Sequence, residues 1–193
     1  MRIYIPYTEI QPETVKCLEP YGYNTVRMVD DDSYLRYFQQ RWADCESFIS
    51  VEHDTLFRAG AIEELTNCPE EWCAFGVMGR DVVWHMDGGV HEETEWYVKN
   101  FADGGLVTLA LVKFERSFIK KYPDLWDEMP NADVEWKHMP KWVWCDSWLN
   151  YYMRQKEVIC HQHYPEVFNA NPRYYGGELP SLLENWEKEK GIK

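Results

Sequence analysis

The chain has 193 residues, a length that suits one sizeable core and is short for two independent domains. Twenty Lys and Arg against 33 Asp and Glu leave a net charge of −13, which argues against generic binding to nucleic-acid backbone; a small anionic substrate would need a divalent cation to carry it. There is no signal-like apolar segment near the start and no run of about eighteen apolar residues, so no membrane span is expected and the expected location is cytoplasmic.

"RIYIPY" (2–7) predicts a first strand, and Pro12 suits the first turn of a short helix with Val15 and Leu18 on one face. After Gly22, "NTVRMV" (24–29) predicts a second strand, and "DDDS" (30–33) offers helix-capping side chains. The following helix places Leu35, Phe38 and Trp42 on one stripe. "SFISV" (47–51) predicts a third strand, with Glu52, His53 and Asp54 crowded at its carboxyl end and a helix expected from about Arg58. "EWCAFGVMG" (71–79) predicts a fourth. Strands alternating with helices at this spacing argue for an α/β fold with a mostly parallel central sheet, whose ligands bind beyond the carboxyl ends of the strands.

After Gly79 the pattern loosens into a loop or hairpin excursion, and "LVTLALVKF" (106–114) resumes as a buried strand. A helix through Phe118 and Tyr122 ends at Pro123, and residues 127–143 are polar and Pro-punctuated, as in a loop. Asp146 is placed to cap a helix, "SWLNYYMRQK", and "EVICHQH" (157–163) predicts the last strand. "ELPSLLENWEKEK" (178–190) has the spacing of an amphipathic helix.

Six cysteines lie without a framework spacing and read as reduced, mostly buried thiols; Cys68 and Cys73 are spaced as half of a zinc site, with no second cysteine pair to complete it. Aromatic residues make up 16% of the chain, most of them core material; Trp84, Trp96, Trp142 and Trp144 fall in irregular stretches where rings can stack on a sugar. Three places could carry chemistry. Glu52 and Asp54 frame an acid-x-acid at a strand end, which suits a hard cation such as Mg²⁺ or Mn²⁺. His161 and His163 alternate on a strand, so both address one face, as metal ligands or as a plain strand surface. Asp146 is a helix cap, a general base, or both.

In that order the three places resemble the GT-A glycosyltransferases, which transfer sugar from a nucleotide-diphosphate donor. The resemblance runs over nearly the whole chain, 1–193, as a single GT-A-like domain: a nucleotide-binding half (1–79) and a half that completes the acceptor and metal sites (80–193). It implies that "EHD" (52–54) stands for the family's Asp-x-Asp motif, with Asp54 as metal ligand and Glu52 and His53 beside the donor. It implies that "ADGG" (102–105), with Gly104 and Gly105, stands for the Gly-containing loop, that Asp146 is the base, and that His161 or His163 is the C-terminal metal ligand. Pro6, Tyr7, Asp30 and Asp31 occupy the places where the family holds base and ribose. The implied protein is an inverting, Mn²⁺- or Mg²⁺-dependent transferase whose partners are a nucleotide-sugar donor and a carbohydrate or other hydroxyl acceptor. The chain departs from the family pattern in its Glu52, in the absence of Glu before Asp146, and in lacking the Gln-x-x-Arg-Trp signature of processive enzymes. The rival readings are a metal-dependent hydrolase or phosphoesterase built on the histidines and the 52–54 acids, and a non-catalytic carbohydrate-binding module built on the aromatics.

Overall fold

Alternation of side chains along each strand divides the protein into two apolar layers around one sheet. The computed structural model describes residues 1–78, 83–84, 107–129, 141–169 and 188. In chain order the elements are β1 (Arg2–Tyr7), α1 (Pro12–Leu18), β2 (Tyr23–Arg27), α2 (Ser33–Asp44), β3 (Phe48–Val51), β4 (Thr55–Leu56), α3 (Ala61–Asn67), β5 (Trp72–Met78), β6 (Val83–Trp84), β7 (Leu111–Phe114), α4 (Arg116–Lys121), α5 (Lys141–Gln155) and β8 (His161–Asn169). The strands form a sheet in the order β2-β1-β3-β7-β5-β8-β4, with β6 added beside β5.

β1, β2, β3, β5 and β8 all run the same way, and β4, β6 and β7 run against them. The fold is therefore α/β with a mostly parallel central sheet flanked by helices. β7 is the exception inside the sheet: it is antiparallel to both neighbours and sits between β3 and β5. A buried apolar run reads the same in either direction, so its composition gave no hint of this.

One face of the sheet carries Tyr4, Phe48, Trp72, Val112 and Phe114, which pack on Tyr34, Phe38 and Trp42 of α2 and on Leu149 and Met153 of α5. Phe38 stacks on Trp126 with ring centroids 4.5 Å apart, and Trp42 donates its indole N–H to the Tyr122 carbonyl at 3.0 Å. The alternate residues Ile3, Ile5, Ile49, Cys73 and Phe75 face the other way, onto Leu18 of α1 and Ile62 and Leu65 of α3.

Several boundaries differ from expectation, each for a local reason. The helix expected from about Arg58 begins at Ala61, because Gly60 takes a left-handed φ of 85° just before the first turn. The strand expected over 106–114 is shortened to Leu111–Phe114, and Val107–Ala110 forms a buried non-strand approach to it. β8 starts at His161 and continues past Pro165 to Asn169. Its pairing with β5 jumps from Phe75↔His163 to Val77↔Val167, so Pro165 lies in a register shift, where a missing N–H does no harm. α5 begins at Lys141, so Asp146 lies in its second turn. The expectation that Asp146 caps this helix is corrected accordingly. The expected C-terminal helix lies outside the described residues except for Lys188, which is helical. Among the described residues no helix is long and apolar enough to cross a membrane.

Candidate functional site

The carboxyl ends of β1, β2 and β3 lie side by side, since Pro6 pairs with Val26, Tyr7 with Arg27, and Tyr4 with Ser50. Pro6 is buried and Tyr7 half-buried at the end of β1. Next to them, past β2, Asp30 and Asp31 are exposed ahead of α2. The Asp30 carboxylate already accepts from Ser33 Oγ at 2.9 Å, from the Asp32 N–H at 3.1 Å and from Arg36 Nη2 at 2.6 Å, contacts that hold it below the usual carboxylate range.

Glu52 continues β3 by one rung, donating its N–H to the Ala110 carbonyl at 2.9 Å. It follows Phe48 and Ser50 in the alternation and so faces α2, where Tyr34 Oη donates to its Oε1 at 2.8 Å. A turn closes behind it, from the Thr55 N–H to the Glu52 carbonyl at 3.2 Å, and the His53 carbonyl accepts from the Gln11 N–H at 2.9 Å. Asp54 sits in this turn at 4% exposure. The short turn thus forces two acids into one half-buried corner.

Asp146 comes to the same corner from α5. Burial and the Glu52 charge push its carboxyl well above the ordinary range, opposed by the Leu109 N–H. Its Oδ1 is buried with no hydrogen-bond partner among the described residues. Burial and the Asp54 charge raise Glu52 to about 7, opposed by the Tyr34 hydroxyl. Tyr34 and the Cys145 thiol are pushed up by burial and by these same acids. No cation among the described residues bears on the charge of Glu52 or Asp146.

Asn150 holds this corner together. One turn after Asp146, its amide donates to the Val107 carbonyl at 2.8 Å and to the Asp146 carbonyl at 2.6 Å, and its Oδ1 accepts from the Val107 N–H at 2.7 Å. The side chain thus pairs with Val107 as a strand would, and fastens α5 to the segment leading into β7. Neither Tyr34 nor Asn150 was a candidate from sequence. The only signal for either is a polar atom on a helix face that otherwise reads as core.

The histidines lie elsewhere. His161 pairs with Cys73 and His163 with Phe75, and the His163 ring lies 5.2 Å from that of Phe75. Phe75 belongs to the α1/α3 face, so the histidines face away from Tyr34, Glu52 and α5. β8 does approach the acids, but at its far end: Thr55, the neighbour of Asp54, pairs with Asn169. The pairing Met78↔Phe168 puts that end three residues, about 10 Å, beyond His163 along β5. The set expected to share one ion, Asp54 with His161 or His163, is therefore not brought together, although both histidines do share a face as their spacing implies. Gly104, Gly105 and Trp96 lie outside the described residues. Trp84 falls in β6, and Trp142 and Trp144 in α5.

The charge state of the corner makes a prediction. The folded chain holds the Glu52 proton up to about pH 7, whereas the unfolded chain releases it near its ordinary value of 4.5. The stabilisation is therefore complete below the unfolded value and is lost as pH rises through the folded one. In the presence of a chelator, Glu52→Gln should gain on wild type between pH 5 and pH 8, by up to about 3 kcal/mol. Denaturant melts of both proteins across that range measure the gain, and a difference independent of pH would mean that Glu52 ionises normally.

No protein-family model matches the chain, and no curated protein matches it in sequence. Among solved structures the chain is similar to a glycosyltransferase involved in the glycosylation of the major capsid of PBCV-1, with 11% identity and a TM-score of 0.48 over 93% of this chain and 90% of that one. It is similar also to a Bacillus anthracis protein described as a glucose-1-phosphate thymidylyltransferase, with 13% identity and a TM-score of 0.47 over 99% of this chain and 76% of that one. Scores this low do not bear on what the site does.

Proposed function

We propose that the chain is a metal-dependent glycosyltransferase that moves a sugar from a nucleotide-diphosphate donor to an acceptor hydroxyl, with inversion at the anomeric carbon. The observation that carries this reading is the convergence of Glu52, Asp54 and Asp146 beyond the carboxyl ends of β1, β2 and β3, where sheets of this kind take their ligands. The corner fits a hard divalent cation: it gathers acidic oxygens, one of them buried and without a partner, and among the described residues no cation offsets them. Asp54 and Glu52 would hold Mn²⁺ or Mg²⁺, which when bound offsets the negative charge of the departing diphosphate.

Asp146 is the base of this reaction. It takes the proton from the acceptor hydroxyl as the new glycosidic bond forms and the bond to the nucleoside diphosphate breaks. An aspartate raised by burial and by Glu52 is better matched to a proton transfer near neutral pH than an ordinary one. Tyr34 holds Glu52 in place, and Asn150 fixes the turn of helix that presents Asp146. The adjoining strand ends, with Pro6 and Tyr7 on β1 and Asp30 and Asp31 after β2, receive the base and ribose. Since the Asp30 carboxylate is engaged by its own turn, exposed Asp31 is the residue to meet the ribose.

The hydrolase reading needs the histidines and the 52–54 acids around the same ions, and it loses support because the two sets face opposite sides of the sheet. A carbohydrate-binding module needs no metal, which makes the test direct. Nucleoside diphosphates screened by thermal shift should stabilise the chain with Mn²⁺ and fail to do so in excess EDTA. At a hundredfold over Kd the gain should be about 2.7 kcal/mol. Equal stabilisation in EDTA would remove the cation from the proposal, and no stabilisation by any nucleotide under either condition would remove the donor.

A further inference from the structure

We propose that Cys68, Cys73 and His163 bind one zinc ion, at a site separate from the carboxylate corner and on the opposite face of the sheet. The three side chains arrive from three elements. Cys68 ends α3, donating its N–H to the Glu64 and Leu65 carbonyls; Cys73 is the second residue of β5; His163 lies on β8. Their ligand atoms all lie within 4.8 Å of one another. Tetrahedral zinc with sulfur at about 2.3 Å and nitrogen at about 2.0 Å sets such atoms about 3.5–3.8 Å apart, so small side-chain rotations close the site.

The state of His163 is the independent observation. Its Nδ1 lies 2.8 Å from Glu64 Oε1, and Glu64 is in turn held by an ion pair with Arg58. A carboxylate accepts, so Nδ1 carries the proton and Nε2 presents its lone pair. That Nε2 is buried, in a residue only 8% exposed, and has no hydrogen-bond partner among the described residues. A buried acceptor without a donor is costly, and a metal ion satisfies it. Carboxylate to imidazole to metal is the usual arrangement by which an outer residue fixes the tautomer of a ligating histidine.

Charge and softness point the same way. Two thiolates and one zinc ion sum to zero. Lys113, at 0% exposure, pairs across the sheet with Cys73, donates to the Cys68 carbonyl at 2.7 Å and pairs with Glu115 Oε1 at 3.2 Å. Burial pushes the Cys73 thiol up and the Lys113 ammonium works against that, so it is zinc binding that would displace the proton. Thiolate with imidazole selects zinc over Mn²⁺ or Mg²⁺, so the two sites take different ions. The remaining corner of the tetrahedron falls to water or to exposed His161, whose ring lies 5.0 Å from that of His163. The ion would tie α3 to both β5 and β8.

This inference does not rest on the transferase reading, and its test keeps the two apart. Full-length protein incubated with one equivalent of zinc and passed through gel filtration should retain one ion per chain by elemental analysis. Cobalt in its place should show thiolate-to-metal charge transfer and the intense visible bands of tetrahedral coordination. Cys73→Ser and His163→Gln should reduce retained zinc to near zero, while Cys17→Ser and Asp54→Asn keep it. A wild-type chain that retains no zinc, a cobalt spectrum without charge transfer, or a Cys68–Cys73 disulfide found by mass would each overturn the assignment. The wild-type measurements stand even if a variant fails to fold. Mn²⁺-dependent nucleotide binding is read separately and decides only the transferase proposal.

Discussion

Replacing Asp146 by Asn should slow sugar transfer by about 10²–10⁴-fold while the chain stays folded. Asn keeps the shape of the side chain and an acceptor oxygen for the Leu109 N–H, but it takes no proton from an attacking hydroxyl. Asp146 lies in the second turn of α5, so no helix cap is at stake. The substitution also removes a charge that burial and Glu52 disfavour, so stability in a chelator should be equal or higher, with the gain growing as pH rises above the ordinary carboxylate range. Asn150 bonds to the backbone carbonyl of residue 146, which the substitution leaves in place. Donor and Mn²⁺ binding should persist, since Glu52 and Asp54 remain. Turnover measured beside melting temperature, with the donor found by thermal shift, checks all of this at once. An Asn variant that turns over normally would place the base elsewhere or make the reaction a retaining one.

Asn150→Leu should cost about 2–5 kcal/mol of stability, among the largest single-residue effects outside the aromatic core. Leucine has similar bulk but pairs with nothing, which strands the N–H and the carbonyl of Val107 in a buried place at about 1–3 kcal/mol each. Asn150→Asp should be nearly as poor: it still accepts from the Val107 N–H but offers no donor to the two carbonyls. Urea midpoints at constant slope measure both losses. At temperatures where the variants are still folded, turnover should fall further than nucleotide binding, because Asp146 loses its fixed position while the donor end is untouched. A loss under about 1 kcal/mol would show that the clamp is incidental.

The first half of the fold was largely legible because its signals are local. β1, β3 and β5 each follow the expected pattern, Pro12 opens α1 as its fixed φ allows, and Phe38 and Trp42 mark the buried stripe of α2. In the second half the deciding facts are long-range. The direction of β7 depends on what it pairs with. The early start of α5 was obscured by the polar, Pro-punctuated stretch before it. The candidate acids were findable because a carboxylate at a strand end is conspicuous, and the fold brings Glu52, Asp54 and Asp146 to one corner. The histidines show the limit of such reasoning. A period of two says that His161 and His163 share a face but not which face, and the face depends on the register with β5. Cys68 and Cys73 looked like half a metal site for the same reason: the partner that completes the group, His163, is supplied by another strand.

The place of β7 between β3 and β5 also governs the order in which this chain can assemble as it is made. Everything up to Met78 can emerge and still leave β3 and β5 without a shared neighbour, since the strand that joins them spans Leu111–Phe114. Until it arrives, Phe48, Ile49, Val51 and Trp72 stand on two open edges of the kind that recruit stray strands from other chains. A nascent chain therefore passes through a sticky interval of roughly thirty residues of growth, which favours rapid elongation or a chaperone. One short strand then seals these two facing edges at once, and the far edge of β5 waits for β8.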